Sequence, residues 1–121
     1  MSAYKGKVIV LEFMVSWCGH CMNMAPIVGS LHTQYAQKGV VFLTVAATWQ
    51  GANAQTTAAF IKQFDATWTH VLDSSNTVFS QYGVSGTPVY VIIDSKGFVY
   101  ARYEGETPFS TLSETLNLLV R

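Results

Sequence analysis

Residues 8–15 form a nearly continuous apolar run broken only by Glu12. A run of that length predicts a strand covered on both faces, as in a parallel sheet flanked by helices. Residues 22–38 repeat apolar positions at helical spacing, with Ile27, Leu31 and Tyr35 along one side. Pro26 lies inside that stretch and is expected to kink it, because proline removes a backbone donor. Gly39 then marks the helix end.

A second buried strand is expected over residues 40–46. A helix follows over 52–64, with Phe60, Ile61 and Phe64 facing inward. Residues 69–72 predict a short strand, 76–82 a short helix, and 88–93 a third main strand. Asp94-Ser95-Lys96-Gly97 is a turn by composition, so residues 98–103 should return antiparallel as a hairpin. Thr107-Pro108 offers a cap and a proline at the first position of a last helix, which buries Phe109, Leu112, Leu116 and Leu119. Strands alternating with helices, closed by a hairpin and a helix, indicate a three-layer α/β/α sandwich on a mixed central sheet.

The chain has 121 residues, enough for one core and too few for two comfortable domains, so residues 1–121 are read as a single domain. Seven Lys and Arg balance seven Asp and Glu, and there is no basic run, which removes the electrostatic case for nucleic acid or an anionic membrane. No apolar stretch approaches the roughly 18 residues needed to span a bilayer. The first seven residues lack the apolar core of a signal peptide. Two placements follow: a cytoplasmic protein, or an extracytoplasmic (periplasmic or cell-surface) one whose export signal or anchor has been removed.

Only two cysteines occur, and they stand three positions apart in Trp17-Cys18-Gly19-His20-Cys21, where the first strand gives way to a helix. One turn of helix brings two such thiols together. Unpaired N–H groups at the helix start then favour a thiolate at Cys18. This is the composition of a redox pair, a sulfur nucleophile with a second thiol to resolve it. The competing reading is a zinc half-site or two inert thiols, but no second Cys/His pair stands at metal spacing, and His32 and His70 are isolated. No metal and no bound cofactor are expected beyond the Cys18–Cys21 pair. Gly19 and His20 between the thiols should set the reduction potential, since an imidazole can donate a hydrogen bond or positive charge to the Cys18 thiolate. Otherwise His20 is an exposed helix residue with no electronic role.

The order of elements resembles the thioredoxin fold, and Leu11-Glu12-Phe13 through Cys21 resembles the active-site strand of protein disulfide isomerase. The remainder is similar to the TlpA/ResA-like thiol-disulfide oxidoreductases. The extra helical segment at residues 48–68, Tyr82-Gly83-Val84-Ser85-Gly86-Thr87-Pro88, and Ile93-Asp94-Ser95-Lys96-Gly97 carry that likeness. It covers about residues 5–119. Members carry further strand structure upstream of Val8, so an N-terminal element is expected to be missing here.

The resemblance implies that Cys18 is the exposed attacking thiolate and Cys21 the more buried resolving thiol. Glu12 takes the place of a buried acid, whose pKa burial would raise, and becomes a proton carrier for Cys21 through water. The alternative is a carboxylate held by a lysine or backbone group for structural reasons. Sequence alone favours a trans Thr87-Pro88 bond, whereas the family implies a cis proline beside the disulfide, with the Thr87 backbone binding an extended substrate segment. Trp17 and residues 84–86 would line the same groove. The function implied is disulfide exchange with protein substrates, by a monomer served by a redox-recycling partner. Two rival functions draw on the same residues. A copper(I) chaperone would use Met14, Met22 and Met24 around the thiols. A peroxiredoxin-like peroxidase resembles Thr-x-x-Cys, but Val15 stands where that threonine is needed.

Overall fold

The computed structural model describes residues 4–120. Strand β1 (Ile9–Met14) lies at the centre of a five-stranded sheet. On one side it pairs in parallel with β2 (Val41–Ala47), which pairs in parallel with β3 (Thr69–Asp73). On the other it pairs antiparallel with β4 (Val89–Ile93), and β4 with β5 (Val99–Glu104), giving the order β3-β2-β1-β4-β5. Every residue of β1 and β4 is buried, which is why both read as apolar runs, interrupted only by Glu12 in β1.

Two cores result from the two faces of the sheet. Ile9, Leu11 and Phe13 pack with Phe60 and Phe79 from helices α2 (Ala54–Phe64) and α3 (Thr77–Gln81). Val8 and Val10 pack with Met24, Val28, Leu31 and Tyr35 of α1 (Gly19–Tyr35) and with Leu112 and Leu116 of α4 (Phe109–Leu119). The expected three layers are therefore present, with α1 and α4 on one face and α2 and α3 on the other.

Several boundaries differ from the sequence reading, each for a local reason. Helix α1 starts at Gly19 rather than Met22, because Cys18 is itself the cap and its Sγ accepts the Cys21 N–H at 3.3 Å. Its inward face runs through Cys21, Met24, Ala25, Val28, Leu31 and Tyr35, while Ile27 is only half-buried. Pro26 sits on the exposed side and the helix runs on past it to Tyr35. A 3-10 turn over Ala36–Lys38 follows, closed by Gly39 at φ +88°, a left-handed conformation that glycine adopts without strain. Helix α2 begins two residues later than expected, because Asn53 and Thr56 form a reciprocal capping box.

Pro108 is the cap of α4 and not its first helical residue. Its backbone is extended, at φ −60° and ψ 148°, and its carbonyl accepts from Thr111 N–H at 3.1 Å. Thr107 does not cap the helix, because its N–H is drawn to Met24 Sδ at 3.4 Å and its hydroxyl to the Gly105 carbonyl at 3.1 Å. The chain is still anchored to α1 at that point.

Candidate active site

Cys18 stands where β1 has ended and α1 begins, so the strand fixes its position and the helix points N–H groups at its sulfur. Both cysteines are thiols here. Cys18 is 6% exposed and Cys21 1%. Cys18 is therefore more open than Cys21 but, contrary to expectation, far from exposed, because the loop before Pro88 covers it. Cys18 Sγ lies 3.6 Å from the Thr87 carbonyl, to which it donates as a thiol. The Thr87-Pro88 bond is cis.

The two sulfurs are driven apart in acidity. Burial pushes the Cys18 thiol up, but hydrogen bonds from the Thr87 side chain, from the Cys21 thiol and from the backbone of Cys21 and His20 outweigh it and leave it below its ordinary value. Burial pushes the Cys21 thiol well above its ordinary value, and the hydrogen bond it shares with Cys18 adds to the rise. Of the two sulfurs, Cys18 is therefore the one that loses its proton first.

Glu12 faces the α1 and α4 side of the sheet, the parity of Val8 and Val10, and is buried. Its register neighbours are Thr44 on β2 and Tyr90 on β4. Thr44 Oγ1 donates to Oε1 at 2.7 Å and Tyr90 Oη donates to Oε2 at 2.9 Å. Thr44 is held in that role because its oxygen also accepts from Trp68 Nε1 at 2.8 Å. Burial pushes the Glu12 carboxyl up, and the two hydroxyls recover only part of that rise. Among the described residues neither a lysine nor a backbone group holds it. Burial and the adjacent Glu12 carboxylate also push the Tyr90 phenol above its ordinary value, and the Cys21 and Cys18 sulfurs act on it in the same direction.

The remaining expected residues divide between two clefts. A cavity of about 360 Å³ beside Pro88 is lined by Ser85, Gly86, Thr87, Arg102 and Glu104. Val84 is absent from it and turns into the core. Trp17, 47% exposed, lines a different cleft of about 420 Å³ with Gln50, Ala52, Thr56, Ala59 and Gln63. It is drawn there by its hydrogen bond from Nε1 to the Trp49 carbonyl at 2.9 Å. Gly19 opens α1 with no atom within 4 Å of where a Cβ would stand, leaving open space beside the thiols. His20 directs Nδ1 to Glu106 Oε2 at 2.6 Å, and its imidazole makes no hydrogen bond to Cys18.

Arg102, Tyr90, Thr44 and Glu106 were not singled out from sequence. Arg102 donates to the Tyr82 and Gly83 carbonyls and so holds the turn at Gly83, whose φ is +63°, ahead of the cis proline. Alternation within β4 would have put Tyr90 on one face, but only the register shows that this is the face of Glu12. Among the described residues no cluster of three or more His, Cys, Asp or Glu is placed to hold a metal. Met14 is buried in the same cluster as Cys18 and Cys21, with Met22 packed against it, whereas Met24 is buried in the other cluster.

Residues 1–119 match the Redoxin family. The chain belongs to that family. This redoxin is 29% identical over 113 residues to the thiol-disulfide oxidoreductase ResA of Bacillus thuringiensis, a match covering 93% of this chain and 64% of that one. It is 30% identical over 99 residues to ResA of Geobacillus thermodenitrificans, covering 82% and 55%. The chain thus spans less than two thirds of the length of these curated relatives. Among solved structures, a Chlorobium tepidum protein described as a thiol:disulfide interchange protein DsbE matches with a TM-score of 0.90 at 27% identity, over 99% of this chain and 84% of that one. StoA from Bacillus subtilis matches with a TM-score of 0.80 at 27% identity, over 91% and 82%. The expected thioredoxin-like fold and the TlpA/ResA-like resemblance are both borne out. No helix among the described residues is long and apolar enough to cross a membrane.

Proposed function

We propose that this redoxin exchanges disulfides with protein substrates, with Cys18–Cys21 cycling between dithiol and disulfide. The observation that carries the reading is the opposed acidity of two sulfurs one helical turn apart, the outer lowered and the inner raised. In the reductive direction the Cys18 thiolate attacks a substrate disulfide. A Cys18–substrate bond forms, and the other substrate sulfur leaves as a thiolate that takes up a proton. Cys21 then loses its proton and attacks Cys18 Sγ, closing the Cys18–Cys21 disulfide and releasing the second substrate thiol. Two electrons have passed to the substrate, and a recycling dithiol partner returns them. The oxidative direction reverses each step. The pair itself holds the electrons, so the exchange requires no bound cofactor.

Glu12 is the proton acceptor in this scheme. Both of its oxygens are occupied by hydroxyl donors, so the proton from Cys21 reaches it through the Tyr90 hydroxyl or a water molecule. The substrate segment lies along the cavity beside Pro88, where Thr87 and the outer edge of β5 offer an extended backbone partner. Trapping tests the reading. Cys21→Ser should accumulate mixed disulfides through Cys18, Cys18→Ser should form none, and alkylation at mildly acidic pH should label Cys18 first. Turnover by Cys18→Ser, or first labelling at Cys21, would overturn it.

A further inference from the structure

Three consecutive residues after β5 reach the site from a side no motif marks. Gly105 N–H donates to the Pro88 carbonyl at 2.8 Å. Glu106 Oε2 accepts from His20 Nδ1 at 2.6 Å and from Asn23 Nδ2 at 3.0 Å. Thr107 N–H donates to Met24 Sδ at 3.4 Å. Residues 105–107 therefore bridge the two segments that meet at Cys18, the start of α1 and the start of β4. With Gly105 and Thr107 fixed on either side, the Glu106 backbone is already in place before its side chain binds, which lowers the entropy lost in forming the contact. The two donors pull the Glu106 carboxyl below its ordinary value, so it is an anion at neutral pH.

We propose that Glu106 is a positioning residue of the dithiol site, holding the His20 imidazole on the 105–107 segment and away from the Cys18 sulfur. The inference rests on the reading of Cys18–Cys21 as a redox pair and adds what regulates it. A histidine between two such cysteines can stabilise the thiolate, hence the reduced form, and so make the disulfide more oxidising. Here the ring's Nδ1–H is spent on a carboxylate, while the Cys18 sulfur is served by the Thr87 side chain and by the backbone N–H groups of His20 and Cys21. Glu106 thereby makes the pair more reducing than the Gly19-His20 dipeptide alone would. The contact is open to water, with side-chain exposures of 72% for His20 and 44% for Glu106. It is therefore a weak restraint that tunes the site without holding the fold together.

A double-mutant cycle isolates the effect. The Cys18–Cys21 equilibrium is measured against glutathione buffers for wild type, Glu106→Ala, His20→Ala and the double variant. The Cys18 thiol pKa is followed in each by thiolate absorbance. Glu106→Ala should shift the equilibrium toward the dithiol by roughly threefold, the scale of one exposed charged contact, and should lower the Cys18 pKa. In the His20→Ala background the same change should do neither. An unchanged equilibrium and pKa in Glu106→Ala would overturn the proposal. So would a shift of the same size without His20, which would assign the effect to the carboxylate's own charge. If the wild-type pair formed no disulfide in any buffer, the redox reading would fail by itself, and the thiol pKa cycle would still decide the role of Glu106.

Discussion

Replacing Glu12 with Gln should raise stability and slow exchange in one step, and the structure sets the terms of both effects. The carboxylate is buried between Thr44 and Tyr90, with its pKa raised because burial outweighs the two hydroxyl donors. A folded-state pKa above the unfolded value means no penalty below the unfolded value of about 4.3. The penalty grows as pH passes that value and reaches full size above the folded pKa. Each tenfold change in the acid constant corresponds to about 1.4 kcal/mol, and about 1 kcal/mol moves the melting temperature of a domain this size by roughly 4 °C. Gln opposes the gain in part, because two charge-assisted bonds become neutral ones. Its oxygen must face Thr44, whose own oxygen already accepts from Trp68, so its amide must donate to Tyr90. Melting of wild type and Glu12→Gln should therefore separate by several degrees at pH 7 and converge near pH 4. In the same protein, release of the mixed disulfide should slow at neutral pH, because the high-pKa Cys21 thiol loses its proton acceptor. A lower melting temperature at pH 7, with exchange rates unchanged, would make Glu12 a structural residue and remove it from the mechanism.

Tyr90→Phe leaves Glu12 Oε2 without its donor and should lower stability at pH 7 by about 1–3 kcal/mol. The loss should shrink toward pH 4 as Glu12 protonates, and equal losses at both pH values would argue for packing alone. Thr57 Oγ1 is buried in α2 and makes no hydrogen bond, so Thr57→Val, of nearly equal volume, should stabilise by about 1 kcal/mol; a lower melting temperature would show that the hydroxyl has a partner. Asn53→Ala removes the α2 cap, in which Asn53 Oδ1 accepts from Thr56 N–H at 2.9 Å. It should cost about 1 kcal/mol and leave the Cys18 thiol pKa unchanged, as a thiolate titration would check.

Apolar runs, helical spacing and turn chemistry together located the main strands and helices among the described residues, because β1 and β4 are fully buried and α2 and α4 each bury one face. The apolar run around Glu12 announced a strand covered on both faces, and residues 94–97 announced the hairpin through turn chemistry that acts over four residues. The thiol pair was equally legible, since its geometry is set within one turn of helix. Boundaries governed by side-chain capping were less so. Cys18 capping its own helix, Asn53 closing a box with Thr56, and Thr107 held by Met24 each moved an element's start by one to three residues.

What the tertiary structure decided were the partners that lie far apart along the chain. The sequence marked Glu12 as a charge inside an apolar run, but only strand register placed Thr44 and Tyr90 on its two oxygens, 32 and 78 positions away. Residues 84–86 and Trp17 were expected in one groove, and backbone direction divided them between two clefts and the core. Glu106 carried no signal at all. It is an ordinary acidic residue between a strand and a helix, and it reaches His20 because the sheet returns β5 beside the start of α1, 86 positions from the imidazole it holds. Local pattern specifies which groups a chain possesses. The long-range pairing of strands decides which of them meet, and hence how acidic the buried ones become.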